Sequence, residues 1–251
     1  MKVKNRLLNY DMIIYQNDDW FKFSLDSVLL ANFVSINLRC KKIIDLASGN
    51  APIPMLLSNR TKAHIDGIEL QNCIYKLGVE SIKENNLSNQ ISLVCGDVRE
   101  IDKYFDSESY DVVICNPPYF KTNSDGYFND NDIKRVARHE VMLSLEDVVK
   151  SAKYLLRNGG NLAMVHTTSR FIEVINCLKE YNFEPKRIQF IYPKEGSNSD
   201  LFMVEASKNG KSNVKILPGL VIHNDDGSYR DNISEMLNKE RWYYVAKKLW
   251  W

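Results

Sequence analysis

The chain is sparing with the residues that announce disulfide, metal or membrane proteins. Its five cysteines (Cys40, Cys73, Cys95, Cys115, Cys177) are an odd, widely spaced set with no Cys-x-x-Cys pair. Reduced thiols in a cytoplasmic protein are therefore expected, not a disulfide framework. The four histidines (His64, His139, His166, His223) are equally scattered, and no metal site is predicted. No apolar run reaches the ~20 residues of a spanning helix. The longest candidate, Ser27 to Ile36, is broken by Asn32 and two serines. The amino-terminal Met-Lys-Val-Lys-Asn-Arg leads into no sustained apolar segment, so a soluble, unexported chain is expected. Charge of neither sign prevails, with 33 Lys plus Arg against 32 Asp plus Glu. Net charge alone thus points to no nucleic-acid or membrane partner.

What is present is ordinary globular material. With 251 residues, 44% hydrophobic and 26% charged, the chain suffices for one domain with a sizeable core. Its charges are unevenly placed. Acids outnumber bases from Asp97 to Asp132, and bases gather at Lys2, Lys4 and Arg6, at Lys134, Arg135 and Arg138, and at Lys239, Arg241, Lys247 and Lys248. A fold that joins these clusters would make a basic patch.

From Lys41 to Lys208 short β-rich runs alternate with segments of helical period, the pattern of a parallel sheet covered on both faces. The strands are predicted at Lys42–Leu46, Ile65–Leu70, Ile91–Cys95, Asp111–Cys115, Asn161–His166, Arg187–Tyr192 and Leu201–Ala206. Helices are predicted near Pro54–Ser58, Cys73–Asn85, Ser144–Leu156 and Arg170–Tyr181. Only eight residues, Pro193 to Asp200, join the last two strands. That is too short for a helical crossover, so this pair should be antiparallel. Ahead of the sheet, Met12–Tyr15 and Trp20–Phe23 flank Asn17-Asp18-Asp19 as an expected hairpin, followed by a helix from Asp26 to Ser35. After it come strand material at Val214–His223, a turn at Asn224-Asp225-Asp226-Gly227 and a terminal helix at Asn232–Trp251. This divides a single domain into an amino-terminal hairpin and helix (1–40), a core sheet (41–208) and a carboxy-terminal extension (209–251).

The fourth predicted strand runs directly into Asn116-Pro117-Pro118-Tyr119. Two prolines fix φ near −65° and remove two backbone donors, which leaves a rigid platform of acceptors. Such a platform suits methylation of an amine on a flat ring. The lone pair of an exocyclic amine is delocalised into the ring. If Asn116 Oδ1 and the Pro117 carbonyl accept its two N–H bonds, that lone pair turns toward an electrophile, and Tyr119 stacks on the ring. Adenine N6, cytosine N4, guanine N2 and, less well, a glutamine amide all satisfy this chemistry.

In open α/β sheets ligands bind beyond the carboxyl ends of the strands, at the switch point. The residues that follow the first four strands are chemically apt for a nucleoside ligand. Asp45-Leu46-Ala47-Ser48-Gly49-Asn50-Ala51 follows the first as a turn of small residues, which allows close backbone approach. Glu69 follows the second and is placed to accept from ribose hydroxyls, Asp97 follows the third and is placed to accept from an adenine amine, and Asn116 follows the fourth. Arg138-His139-Glu140 suggests a base role for His139, but a loop or cap histidine is the preferred reading.

The order of these elements, seven strands with a terminal hairpin, resembles the class I fold of S-adenosylmethionine-dependent amino-methyltransferases. Within them the chain resembles the bacterial family that methylates N6 of adenine 37 in tRNA1(Val), over most of its length and including Phe21-Lys22-Phe23-Ser24-Leu25-Asp26-Ser27-Val28-Leu29-Leu30. The resemblance implies cofactor contacts by Phe23, Ser24, Asp26, Asp45, Ala47, Ser48, Gly49, Asn50, Ala51, Glu69, Leu70, Asp97, Val98 and Asn116. It implies base handling by Asn116, Pro117, Pro118 and Tyr119. The flanking cations Lys121, Arg135, Arg138, Lys247 and Lys248 are expected on tRNA phosphates, with an anticodon loop as partner and no obligatory protein partner. The family turn Asp-x-Gly-x-Gly-x-Gly has Ala47 and Ala51 at its first and third glycines here. Those two positions must then avoid φ > 0, or the turn is strained. Guanine-N2 methylation of rRNA, glutamine methylation of a protein, and tRNA binding without catalysis are the alternatives. The terminal stretch Arg241 to Trp251 mixes aromatics with bases, which suits docking onto the domain better than stacking on nucleotides.

Overall fold

The computed structural model describes residues 2–7, 12–17, 24–117 and 143–237. Strands β1 (Lys2–Arg6) and β2 (Ile13–Asn17) form an antiparallel hairpin. Here β2 pairs with β1; Trp20–Phe23, the partner expected for Met12–Tyr15, lies outside the described residues. In Lys-Val-Lys-Asn-Arg the charges conceal the strand, because they are used sideways. Lys2 pairs with Glu80, and Lys4 with Glu84 at 2.6 Å. Both acids belong to helix α3 (Asn72–Glu84). Further side chains of α3 and the turn after it close the free edge of β2. The Tyr15 N–H donates to Ser81 Oγ (2.9 Å) and the Ile13 N–H to Asn85 Oδ1 (2.8 Å), while Asn85 Nδ2 donates back to the Ile13 carbonyl (2.7 Å).

Helix α1 (Leu25–Phe33) is buried along most of its length, with Ser27 the buried polar residue among Val28, Leu29, Leu30, Ala31 and Phe33. The carbonyls at its end have no partner within the helix. Arg187 supplies one, donating to the Phe33 carbonyl (2.9 Å) and to Ser35 Oγ (2.6 Å), and the Ser35 N–H donates to buried Glu205 (2.7 Å).

The main sheet contains β3 (Lys42–Leu46), β4 (His64–Glu69), β5 (Ile91–Cys95), β6 (Tyr110–Cys115), β7 (Leu156–Thr167), β8 (Phe183–Lys194) and β9 (Leu201–Lys208). These are the seven expected strands, and β9 is antiparallel to β8 as predicted and pairs antiparallel with β7 as well. The order across the sheet is β8-β9-β7-β6-β3-β4-β5. It reverses between β3 and β6, so the switch point falls between their carboxyl ends. Two short strands, β10 (Lys215–Ile216) and β11 (Leu220–His223), add parallel to β8 and make nine strands among the described residues. Pro218 and Gly219 split what the sequence suggests is one run. Strands β7 and β8 also exceed their predicted lengths. Gly159-Gly160 lies inside β7, and Pro185 in β8 sits at a register shift, where proline is tolerated in a strand.

Helices α2 (Pro52–Ser58), α4 (Leu145–Leu155) and α5 (Phe171–Glu180) complete the layers with α1 and α3. Helix α4 starts in a reciprocal capping box, Ser144 Oγ accepting from the Asp147 N–H while Asp147 accepts from the Ser144 N–H. Buried apolar side chains form two clusters. One contains Leu29, Ile43, Leu56 and Ile114, the other Ile44, Val113, Val149 and Phe202. Neighbours on one strand fall in different clusters, as the alternation of a sheet buried on both faces requires. Helix α6 (Asp231–Leu237) begins where the terminal helix is expected, and residues 238–251 of that expected span lie outside the described residues.

Candidate functional site

The site is built where β3, β4, β5 and β6 end. Leu46 on β3 pairs with Cys115 on β6, so the turn opening at Ala47 and the segment opening at Asn116 leave the sheet side by side. Three residues of the turn are left-handed: Ala47 (φ 56°), Gly49 (φ 59°) and Ala51 (φ 67°). Of the two outcomes the sequence leaves open, avoidance of positive φ or strain, the second holds: both alanines are left-handed and the turn carries the strain. For an L-residue this conformation costs about 1–2 kcal/mol. The turn is held in it by its neighbours. Its Ser48 N–H donates to the Ile68 carbonyl (2.9 Å), its Gly49 N–H to Glu69 Oε2 (2.9 Å), and its Asn50 Nδ2 to the Tyr15 carbonyl (2.8 Å). At Gly67 on β4, paired with Asp45, a Cβ would lie 2.7 Å from Ser48 Oγ and 2.5 Å from Leu93, so any larger residue would have to displace both side chains.

The strain makes a stability prediction. Ala47→Gly should stabilise the protein by about 0.5–1 kcal/mol, because relief of the left-handed penalty exceeds the extra chain entropy that glycine gives the unfolded state. Ala51→Gly should gain less, since Ala51 is fully buried and its methyl group is lost. Urea denaturation measures both, and an Ala47→Gly chain no more stable than the parent rules the strain out.

Asp45 is 2% exposed, and its Oδ1 has no hydrogen-bond partner among the described residues. Burial pushes its carboxyl up to about 8, and nearby Glu69 adds to the rise. An orphaned carboxyl oxygen at the switch point is a demand for a donor. Glu69 is satisfied on one side of each oxygen, Oε2 by the Gly49 N–H and Oε1 by the Gln71 N–H (2.9 Å). Burial raises its carboxyl, and these two N–H groups oppose the rise. A carboxylate offers about four lone-pair sites, so Glu69 retains capacity for hydroxyl donors. Beside it Leu70 is 47% exposed, an apolar side chain at the mouth of the site, and Val98 lies buried beyond β5.

Asp97 accepts from the Arg99 N–H (2.9 Å) and from its guanidinium (Nε to Oδ1, 3.1 Å). Those hydrogen bonds hold its carboxyl below the usual range. Arg99 is absent from the sequence expectations, although its position two residues on is within reach of the carboxylate. At the start of α1, Ser24 Oγ donates to Asp26 (3.2 Å), whose carboxyl is raised by burial. Asn116 is brought to the same strand ends, its Nδ2 donating to Ser27 Oγ at 3.1 Å. Ser27 too is absent from the expectations, since the two residues are 89 positions apart. Pro117 is buried next to Asn116.

The structure therefore brings together Asp45, Ala47, Ser48, Gly49, Asn50, Ala51, Glu69 and Asn116. Pro118, Tyr119, Phe23, His139 and the cations Lys121, Arg135, Arg138, Lys247 and Lys248 lie outside the described residues. Of the basic residues expected to gather, Lys2 and Lys4 are engaged by α3. Among the described residues no cluster of His, Cys, Asp or Glu has the geometry of a metal site, and no described helix is long and apolar enough to cross a membrane.

A carboxylate with spare acceptor sites, an unpartnered carboxyl oxygen, a close-approach turn and an exposed leucine fit a ligand that has ribose hydroxyls, an amine and an apolar ring. Residues 22–184 match the family of the methyltransferase small domain. The chain is similar to the tRNA1(Val) (adenine(37)-N6)-methyltransferase of Parabacteroides distasonis, 28% identical over 189 residues and covering 74% of this chain and 76% of that one. The same enzyme of Christiangramia forsetii is 23% identical over 218 residues, covering 86% and 89%. A predicted O-methyltransferase of Agrobacterium tumefaciens has a similar fold, with a TM-score of 0.68 at 20% identity, over 84% of this chain and 95% of that one. So does TYW2 of Pyrococcus horikoshii, solved with MeSAdo, with a TM-score of 0.57 at 13% identity over 83% and 72%.

Proposed function

The chain belongs to the methyltransferase small domain family, and from that membership we propose that it methylates N6 of an adenine in tRNA, adenine 37 beside the anticodon of tRNA1(Val), the substrate in the names of its relatives. The observation that carries this reading is the pairing of Leu46 with Cys115, which sets the strained turn beside Asn116. One strand end holds the methyl donor and its neighbour holds the acceptor.

Ser24, Asp26, Asp45, the turn Ala47 to Ala51, Glu69, Leu70, Asp97 and Val98 would hold S-adenosylmethionine, with Phe23 preceding them in the chain. Bound there, the cofactor would supply a methyl group on a cationic sulfonium that departs as a neutral thioether. The chain's own residues then need only align the amine. Asn116 Oδ1 and the Pro117 carbonyl accept its two N–H bonds and turn its lone pair out of the ring plane. Holding two reactants at near-attack distance is worth roughly 7–11 kcal/mol of barrier. No dedicated base is needed, because the methylated amine is strongly acidic and yields its proton to solvent.

A base stacked inside a duplex cannot reach this loop, so the target is splayed from a single-stranded segment, as in an anticodon loop. Tyr119 stacks on the base. Lys121, Arg135, Arg138, Lys247 and Lys248 contact phosphates, which position the tRNA without reading its sequence. Such a substrate places the protein in the cytoplasm.

The test is incubation with labelled S-adenosylmethionine and unmodified tRNA transcripts, followed by nucleoside analysis. The expected product is N6-methyladenosine, lost when adenine 37 is replaced by guanine. Label in N2-methylguanosine, or on protein and never on tRNA, sinks the assignment. A separate measurement checks the donor side. Glu69→Ala should weaken binding of S-adenosylmethionine by about 1.5–3 kcal/mol, the scale of hydrogen bonds to a charged group, and an unchanged calorimetric titration excludes Glu69 from the cofactor site.

A further inference from the structure

We propose that Ser27 is a positioning residue for methyl transfer, holding the Asn116 amide in the orientation that aims its oxygen at the target amine. This rests on the reading of Asn116 as an acceptor and deepens it.

An asparagine side chain can be satisfied with its two ends exchanged, and only one orientation places Oδ1 where an amine donates. The two branches of the amide lie in one plane about 120° apart, so fixing Nδ2 fixes Oδ1. Ser27 Oγ accepts from Nδ2 at 3.1 Å and does the fixing. The hydroxyl is itself well placed to hold a direction. Ser27 is 4% exposed in the first turns of α1, an apolar helix in which alanine would pack as well and favour the helix more. A buried hydroxyl there requires a partner, and that partner is the first residue beyond the catalytic strand. Helix α1 is in turn fixed at its far end by Arg187 and, through Ser35, by Glu205. The amide is thus tied to a rigid element and not to a loop, the arrangement that keeps a reacting group in place.

Two measurements test the role, and they fail separately. In single-turnover methylation of tRNA, Ser27→Ala should lower the rate about tenfold, the scale of one net hydrogen bond, while affinities for tRNA and S-adenosylmethionine stay unchanged and Ser27→Thr restores the rate. Placed on Asn116→Ala, the same change should cost nothing further. Equal losses in both backgrounds would show a purely structural serine and overturn the proposal. Should Ser27→Ala fail to fold, Ser27→Cys keeps the volume while accepting weakly and takes its place. The second measurement needs no substrate. The side-chain NH₂ signal of Asn116, identified by its disappearance in Asn116→Ala, should exchange with solvent faster in Ser27→Ala and return to normal in Ser27→Thr. An amide signal indifferent to Ser27 overturns the proposal whatever the chain methylates. Absence of N6-methyladenosine from the wild-type reaction overturns only the substrate assignment.

Discussion

Replacing Asn116 by alanine should lower the single-turnover rate of methyl transfer by about 10²–10³, the loss seen when one preorganised partner of a developing charge is removed, while tRNA affinity stays near that of the parent. The split follows from where the hydrogen bond matters. In the ground state the amine is flat and makes two ordinary hydrogen bonds. In the proposed reaction the nitrogen becomes tetrahedral and cationic as the methyl arrives, and its N–H bonds would polarise toward Asn116 Oδ1. An interaction that strengthens only on the way to the transition state is read in the rate and not in binding. Tyr119→Ala should do the opposite and impair capture of the base. Rapid-quench measurements with saturating cofactor separate the two, and a rate loss below about threefold for Asn116→Ala would remove that residue from the mechanism.

A second large effect is expected in stability against pH. Burial raises the Asp45 carboxyl to about 8 in the folded chain, whereas an unfolded aspartate titrates near 3.9. Between those values the native state keeps a proton that the unfolded state gives up. Stability contributed by this group is therefore complete below about pH 4, declines by at most about 1.4 kcal/mol per pH unit as pH rises, and is gone above about pH 8. Glu69, raised in the same direction, adds to the slope. Asp45→Asn keeps the shape and removes the titration, so its urea midpoint should gain on the parent steadily from pH 5 to 8. Parallel profiles for the two proteins would show that Asp45 is ionised in the native state.

The sheet was legible because strands buried on both faces read as short apolar runs. Each run fell within a predicted strand, and the short link from Pro193 to Asp200 correctly implied the antiparallel pair β8 and β9. What local pattern did not disclose was partnership over distance. Strand β1 reads as a basic tail until Glu80 and Glu84 of α3 are seen opposite its lysines. The bond between Ser27 and Asn116 joins segments on either side of four strands, and no periodicity records it. Ala47 and Ala51 leave the turn's conformation open in the sequence for another reason. Intrinsic preference argues against φ > 0, but hydrogen bonds of Ser48, Gly49 and Asn50 to two other segments override it. At the site, the residue types after each strand were readable, because they answer to chemistry. The clamp of Arg99 on Asp97 was missed, since an arginine two positions from an acid is too common to stand out.

The closure of β2 by α3 also orders events in time. Ile13 and Tyr15 bond to Asn85 and Ser81, partners 72 and 66 positions later in the chain. During synthesis the hairpin leaves the ribosome first, and its edge stays open until α3 has followed it. At about 5–20 residues per second that interval lasts several seconds, long compared with the microseconds in which a hairpin forms. An open edge is a template for a second strand. The lysines of β1, without their acid partners until Glu80 and Glu84 arrive, leave like charge along that nascent hairpin, and like charge opposes edge-to-edge joining of two newly made chains.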